Sequence, residues 1–93
     1  MFNITAKYVS VFQPEDKGKF VQANLSTSKK NEDGTYKNMY WIAKFVGKAR
    51  EAASQLKDKD KIEIINGAIE NFYDKDKDKL YVNVTVFDFK MQN

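Results

Sequence analysis

Lysines and aromatic residues are interleaved between positions 20 and 44: Phe20, Lys29, Lys30, Tyr36, Lys37, Tyr40, Trp41 and Lys44. Unstacked nucleobases present π-faces to aromatic rings, and the phosphates between them need cations. That mixture is therefore what a single-stranded nucleic acid requires, with stacking contributing roughly 1–3 kcal/mol per base. The same residues also fit an ordinary surface, with Tyr40 a cross-strand aromatic and Lys44 an exposed lysine. The charge distribution is compatible with both, a balanced solvated surface being its commoner explanation. Residues 1–50 hold nine Lys/Arg against four acids, whereas the remainder holds seven against nine, so a polyanionic partner would meet one side of the chain.

Other chemistries find little support. The chain has no Cys and no His, which removes disulfides, zinc fingers, His-ligated iron and any Cys–His nucleophile pair. Asp74, Asp76 and Asp78 imitate the first, third and fifth ligands of a calcium loop. Lys79 stands where the sixth-position Gly belongs and Thr85 where the twelfth-position Glu belongs, so a charged hairpin tip is the better account. No Gly-rich phosphate loop is present. Every acidic cluster (Glu15-Asp16, Glu32-Asp33, Asp58 with Asp60, Asp74 to Asp78) lies beside lysines in an expected turn, away from any cleft where carboxylates could share a proton or a metal. Neither catalysis nor a metal or cofactor is expected.

These residues must be placed by a small scaffold. Ninety-three residues with 42% hydrophobic content make a single domain, residues 1–93. No apolar run reaches bilayer-spanning length, and residues 1–10 lack the pattern of a signal peptide, so no membrane is expected and a cytoplasmic location is. Phe2 to Phe12 reads as a strand ending at Pro14 and Gly18. Lys19 to Ser28 alternates with period two, putting Val21, Ala23 and Leu25 on the core face. Asp33-Gly34 marks a hairpin turn, and Asn38 to Val46 returns. Ala43 and Phe45 set the parity of that strand: Trp41 joins them in the core, while Tyr40, Ile42, Lys44 and Val46 take the opposite face.

After Gly47 the period changes. Ala49, Ala52, Ala53 and Leu56 form one face of a short helix over Lys48 to Lys57. Ile62, Ile64 and Ala68 or Ile69 make a fourth strand with a bulge or bend at Gly67. Asp74 to Lys79 is a turn, and Leu80, Val82, Val84 and Val86 alternate with Tyr81, Asn83, Thr85 and Phe87 in a fifth. The expected fold is all-β: a five-stranded OB-fold, a Greek-key barrel, with one short helix between the third and fourth strands. An SH3-like barrel or an α+β half-sheet would be the next choices.

Three segments resemble the single-stranded DNA-binding protein family of bacteria and their phages. Val21-Gln-Ala-Asn-Leu-Ser-Thr-Ser28 resembles that family's second strand. Tyr40-Trp-Ile-Ala-Lys-Phe-Val-Gly-Lys-Ala-Arg-Glu-Ala-Ala-Ser-Gln-Leu56 is similar to its third strand, Gly-Lys junction and helix. Ile62-Glu-Ile-Ile-Asn-Gly67 is similar to its fourth strand. The resemblance implies sequence-nonspecific binding of single-stranded DNA, which coats and protects the strand in replication, recombination or repair. It places Tyr40 at a base-stacking position seven residues before the junction glycine, and Phe72 or Tyr73 at the aromatic of the arm after the fourth strand. With Lys29, Lys30, Lys37, Lys44 and Lys48 for phosphates and Tyr36 as a further stacking ring, these form the expected site. A homodimer or homotetramer is expected.

The chain also departs from that family. Asn31 stands where some members carry a stacking Trp, Val46 replaces the usual aromatic before the junction glycine, and the N-terminal strand follows a different pattern. Lys90-Met-Gln-Asn93 carries neither a Gly/Pro/Gln-rich tail nor an acidic tip, so the expectation is either a shortened chain or a short phage or mobile-element type, and partner recruitment through an acidic tail is not expected. An RNA-binding OB module, a protein-interaction OB domain without nucleic acid, and a small carboxylate enzyme are the competing readings.

Overall fold

In the computed structural model, residues 2–92 are described. Met1 and Asn93, the limits of the expected 1–93 domain and the end of the Lys90-Met-Gln-Asn93 segment, lie outside the described residues. The elements run β1 (Phe2–Asp16), β2 (Val21–Lys30), β3 (Tyr36–Phe45), α1 (Lys48–Ala53), β4 (Lys61–Asp74) and β5 (Lys79–Met91). The strands close a barrel in the order β1-β2-β3-β5-β4, with β1 returning to β4. All ladders are antiparallel except β3–β5, which is parallel from Ile42 opposite Asn83 to Phe45 opposite Val86. This is the expected OB-fold: five strands with one helix between the third and fourth, and no free barrel edge along the closed part.

Alternation builds the core. Val21, Ala23 and Leu25 of β2 meet Ala43 and Phe45 of β3, with Val9, Val11, Ile62, Ile64, Val84 and Val86 completing the interior. Phe45 meets Phe89 edge to face, with ring centroids 5.2 Å apart, a geometry that suits the aromatic quadrupoles. Ala49 and Ala53 of the helix and Leu56 of the turn after it join the core cluster at one end of the barrel. Gly67 is required by packing: a Cβ there would stand 2.9 Å from the Thr85 carbonyl oxygen across the β4–β5 ladder.

Several boundaries differ from the sequence expectation. β1 does not stop before Pro14 but continues to Asp16, because Pro14 falls in a bulge between the Phe12–Asn24 and Glu15–Gln22 pairs, where its missing N–H costs no ladder bond. The helix is six residues long rather than ten. Its last turn tightens, the amides of Gln55 and Leu56 bonding to Ala52 and Ala53 three residues back, so Ala52 stays exposed while Leu56 is still buried. Of the apolar parity of β5, only Val84 and Val86 are buried. Leu80 and Val82 are exposed because the β4–β5 hairpin extends past the barrel.

Candidate nucleic-acid interface

The ladder of β2 and β3 is unbroken for ten pairs, from Val21–Phe45 to Lys30–Tyr36. Residues opposite one another share a face, so an unbroken register projects one parity outward along its whole length. That outer face carries Gln22, Asn24, Ser26, Ser28 and Lys30 on β2 and Tyr36, Asn38, Tyr40, Ile42 and Lys44 on β3. Tyr40 is 71% exposed and Tyr36 is 67% exposed, which leaves both rings available for stacking. Between them, Ser28 Oγ donates to Asn38 Oδ1 at 2.9 Å. Trp41 points the other way, as parity requires: it packs on the core and its Nε1 donates to Thr27 Oγ1 at 3.0 Å.

The parallel β3–β5 ladder extends this face. Asn83 and Thr85 lie beside Ile42 and Lys44, and the β4–β5 register then brings Tyr81 opposite Phe72. Phe72 and Tyr81 stack with centroids 6.5 Å apart, and Lys79 Nζ lies 5.3 Å over the Tyr81 ring. On the other flank, the register with β1 adds Ser10 and Phe12 beside Ser26 and Asn24. One surface therefore runs from Phe12 through Tyr40 and Ile42 to Tyr81 and Phe72.

The residues expected from the sequence divide between faces. Lys30, Tyr36, Tyr40, Lys44 and Phe72 share the outer surface. Lys29 and Lys37 sit directly opposite each other on the reverse parity of the β2–β3 hairpin, a like-charge pairing that an anion would relieve. Tyr73, one residue on from Phe72, takes the reverse face opposite Leu80. Its hydroxyl donates to the Asp78 carboxylate, and that bond raises its pKa above the ordinary tyrosine value. Lys48 opens α1 and pairs with Asp88 at 3.3 Å.

Lys44 is partly sheltered, its Nζ 4.8 Å over the Phe20 ring. Among the described residues, Lys29, Lys30, Lys37 and Lys44 lie within ion-pair distance of no carboxylate. The outer strip thus combines exposed rings with uncompensated cations. Tyr81, Phe12 and Lys79 belong to this surface but escaped the sequence reading. Tyr81 had the right parity, yet only the parallel pairing reveals that β5 lies beside β3.

The acidic clusters act as turn supports. Asp74 Oδ1 accepts from the amides of Asp76 and Lys77, at 3.0 and 3.4 Å. Asp33 Oδ1 accepts from the hydroxyl and amide of Thr35, bonds that hold its carboxyl below the usual 3.8. Among the described residues no group of three acidic side chains converges as a metal site, and no helix is long and apolar enough to cross a membrane.

No known family's sequence profile matches this chain, and no curated protein sequence does. Its structure is similar to that of a small single-stranded DNA-binding protein from Mycoplasma pneumoniae, at a TM-score of 0.63 and 9% identity, covering 100% of this chain and 93% of that one. It is also similar to a small single-stranded DNA-binding protein from Streptomyces coelicolor, at a TM-score of 0.59 and 11% identity, covering 98% and 94% of the two chains. What the chain shares with both is the fold, an OB-type barrel matched over nearly its full length.

Proposed function

We propose that this protein binds single-stranded DNA without sequence preference and coats it, with no catalytic step, as a cytoplasmic protein of replication, recombination or repair. The observation that carries the reading is the outer strip itself, where exposed Tyr36 and Tyr40 and the Phe72–Tyr81 stack lie on one surface with unpaired lysines. Bases stack on the rings, and Lys30 and Lys44 neutralise phosphates, releasing counterions and making affinity fall with salt. Lys29, Lys37 and Lys48 lie off this strip and meet phosphates at its edges, whereas Tyr73, on the reverse face of the arm, contributes little. The names of the two structural neighbours support the same cargo. In this reading residues 1–93 form one nucleic-acid-binding domain with a short track. Assembly into a homodimer or homotetramer then raises affinity through effective concentration.

The test is a titration with a dT oligomer, with rU and duplex controls, at two salt concentrations, followed by Trp41 emission and by anisotropy of labelled oligomer. Salt-sensitive binding to dT, stronger than to duplex, is expected. Equal or tighter binding to rU would move the assignment to RNA, and absence of binding to either single strand at low salt would overturn it.

A further inference from the structure

The β1 bulge opens beside Tyr40 and has the chemistry to hold a base by its edge. Strict alternation would turn Gln13 inward, since Phe12 already faces outward opposite Asn24. The register instead gains one residue between Phe12 and Glu15, and Gln13 adopts φ 52°, a left-handed conformation that is costly for a residue with a side chain. Its amide N–H is held by Asp58 Oδ1 at 2.9 Å, which pins the bulge to the segment after α1. The consequence is that the Gln13 side chain stays on the outer surface, where its Oε1 accepts from Asn24 Nδ2 at 3.3 Å. Phe12, Gln13, Asn24 and Tyr40 line an open recess of about 550 Å³ there.

We propose that this recess receives one nucleobase of the bound strand, stacked on Tyr40 and hydrogen-bonded along its edge by the amides of Gln13 and Asn24. The proposal rests on the single-strand reading above and adds where and how a base is held. Neutral amides suit base edges, whereas phosphates call for cations. With Asn24 donating to Gln13, the Gln13 Nε2 donors and the Asn24 Oδ1 acceptor remain, and among the described residues neither has a protein partner. All four bases offer a donor next to an acceptor, so this pair can grip any of them. Rotating both amides together exchanges donor and acceptor without breaking their mutual bond. The recess therefore adds hydrogen bonding without demanding a sequence.

The experiment compares a dT oligomer with the same oligomer built from 2,4-difluorotoluene nucleotides, which keep the shape and stacking of thymine but lack its hydrogen-bonding edge. For the wild type we expect the isostere to bind about fivefold more weakly, the effect of roughly one hydrogen bond. In Gln13→Gly and Asn24→Ala that penalty should fall below twofold. Gln13→Gly suits the left-handed backbone and keeps the fold, which thermal unfolding checks. An equal penalty in wild type and variants, or none in a wild type that binds dT, would overturn the proposal while leaving single-strand binding in place. A wild type that binds neither oligomer would overturn both.

Discussion

The two hairpins that extend beyond the barrel are built from the same pleated ladder and carry opposite endowments. β2–β3 holds Lys29, Lys30, Lys37 and Lys44 against Glu32 and Asp33 at its tip. The β4–β5 arm from Glu70 to Tyr81 sets Lys75, Lys77 and Lys79 against Glu70, Asp74, Asp76 and Asp78, and it carries a preformed ring pair. The first hairpin supplies field together with the open rings of Tyr36 and Tyr40, whereas the arm, whose charges nearly balance, supplies stacking. Coulombic attraction reaches several ångströms and is screened by salt, whereas stacking needs contact and is nearly salt-independent. A strand lying across both would be drawn in by the first and held at fixed spacing by the second.

Substitutions can separate the two contributions. Tyr40→Ala removes the most exposed ring at the centre of the strip, so dT affinity should drop by about 1–3 kcal/mol with the thermal transition unmoved; wild-type affinity would refute this face. On the arm, Phe72→Ala should cost about 1–2 kcal/mol and Tyr73→Ala under about 0.5 kcal/mol, because the two rings point to opposite faces. Equal losses would mean that the strand embraces both sides of the arm. Lys44→Ala should lower the slope of log affinity against log salt by roughly 0.7 if Lys44 meets one phosphate, whereas Lys79→Ala should change it less; an unchanged Lys44 slope would remove that residue from the track. The smallest effect concerns the β2–β3 tip. The Thr35 hydroxyl and amide lower the Asp33 pKa, so its contribution to tip order is present above the ordinary value of 3.8 and is lost as pH falls through the lower folded value. An NMR titration of the Thr35 amide should show its midpoint below 3.8, and a midpoint at or above that value would contradict the bond.

How far the site was legible varied with the range of the interaction involved. The parity of β2 and β3 was readable because Val21, Ala23, Leu25, Ala43 and Phe45 mark the inner face residue by residue, leaving Tyr40 and Lys44 outside. Pro14 misled, since a proline that ends most strands can lie within one when a bulge spares its missing N–H. The helix came out shorter because its apolar spacing continues into a tightened turn that keeps Leu56 buried without further α-helical bonds. The choice between Phe72 and Tyr73 stayed open, as neighbouring aromatics in an exposed arm have no core residue beside them to set their parity.

From its sequence alone this protein's strand periods, its turns, the single helix between the third and fourth strands and the concentration of positive charge in its first half could be determined, because each depends on residues a few positions apart. Tertiary structure decided which outward residues become neighbours. Closure of the barrel pairs Ile42 with Asn83, carrying the Tyr81–Phe72 stack onto the face of Tyr40, and the extra residue after Phe12 keeps Gln13 on that face beside Asn24. Pairing between strands some 40 residues apart is set by the fit of the whole barrel, and a one-residue change of register reverses every side chain. No local pattern could carry that information.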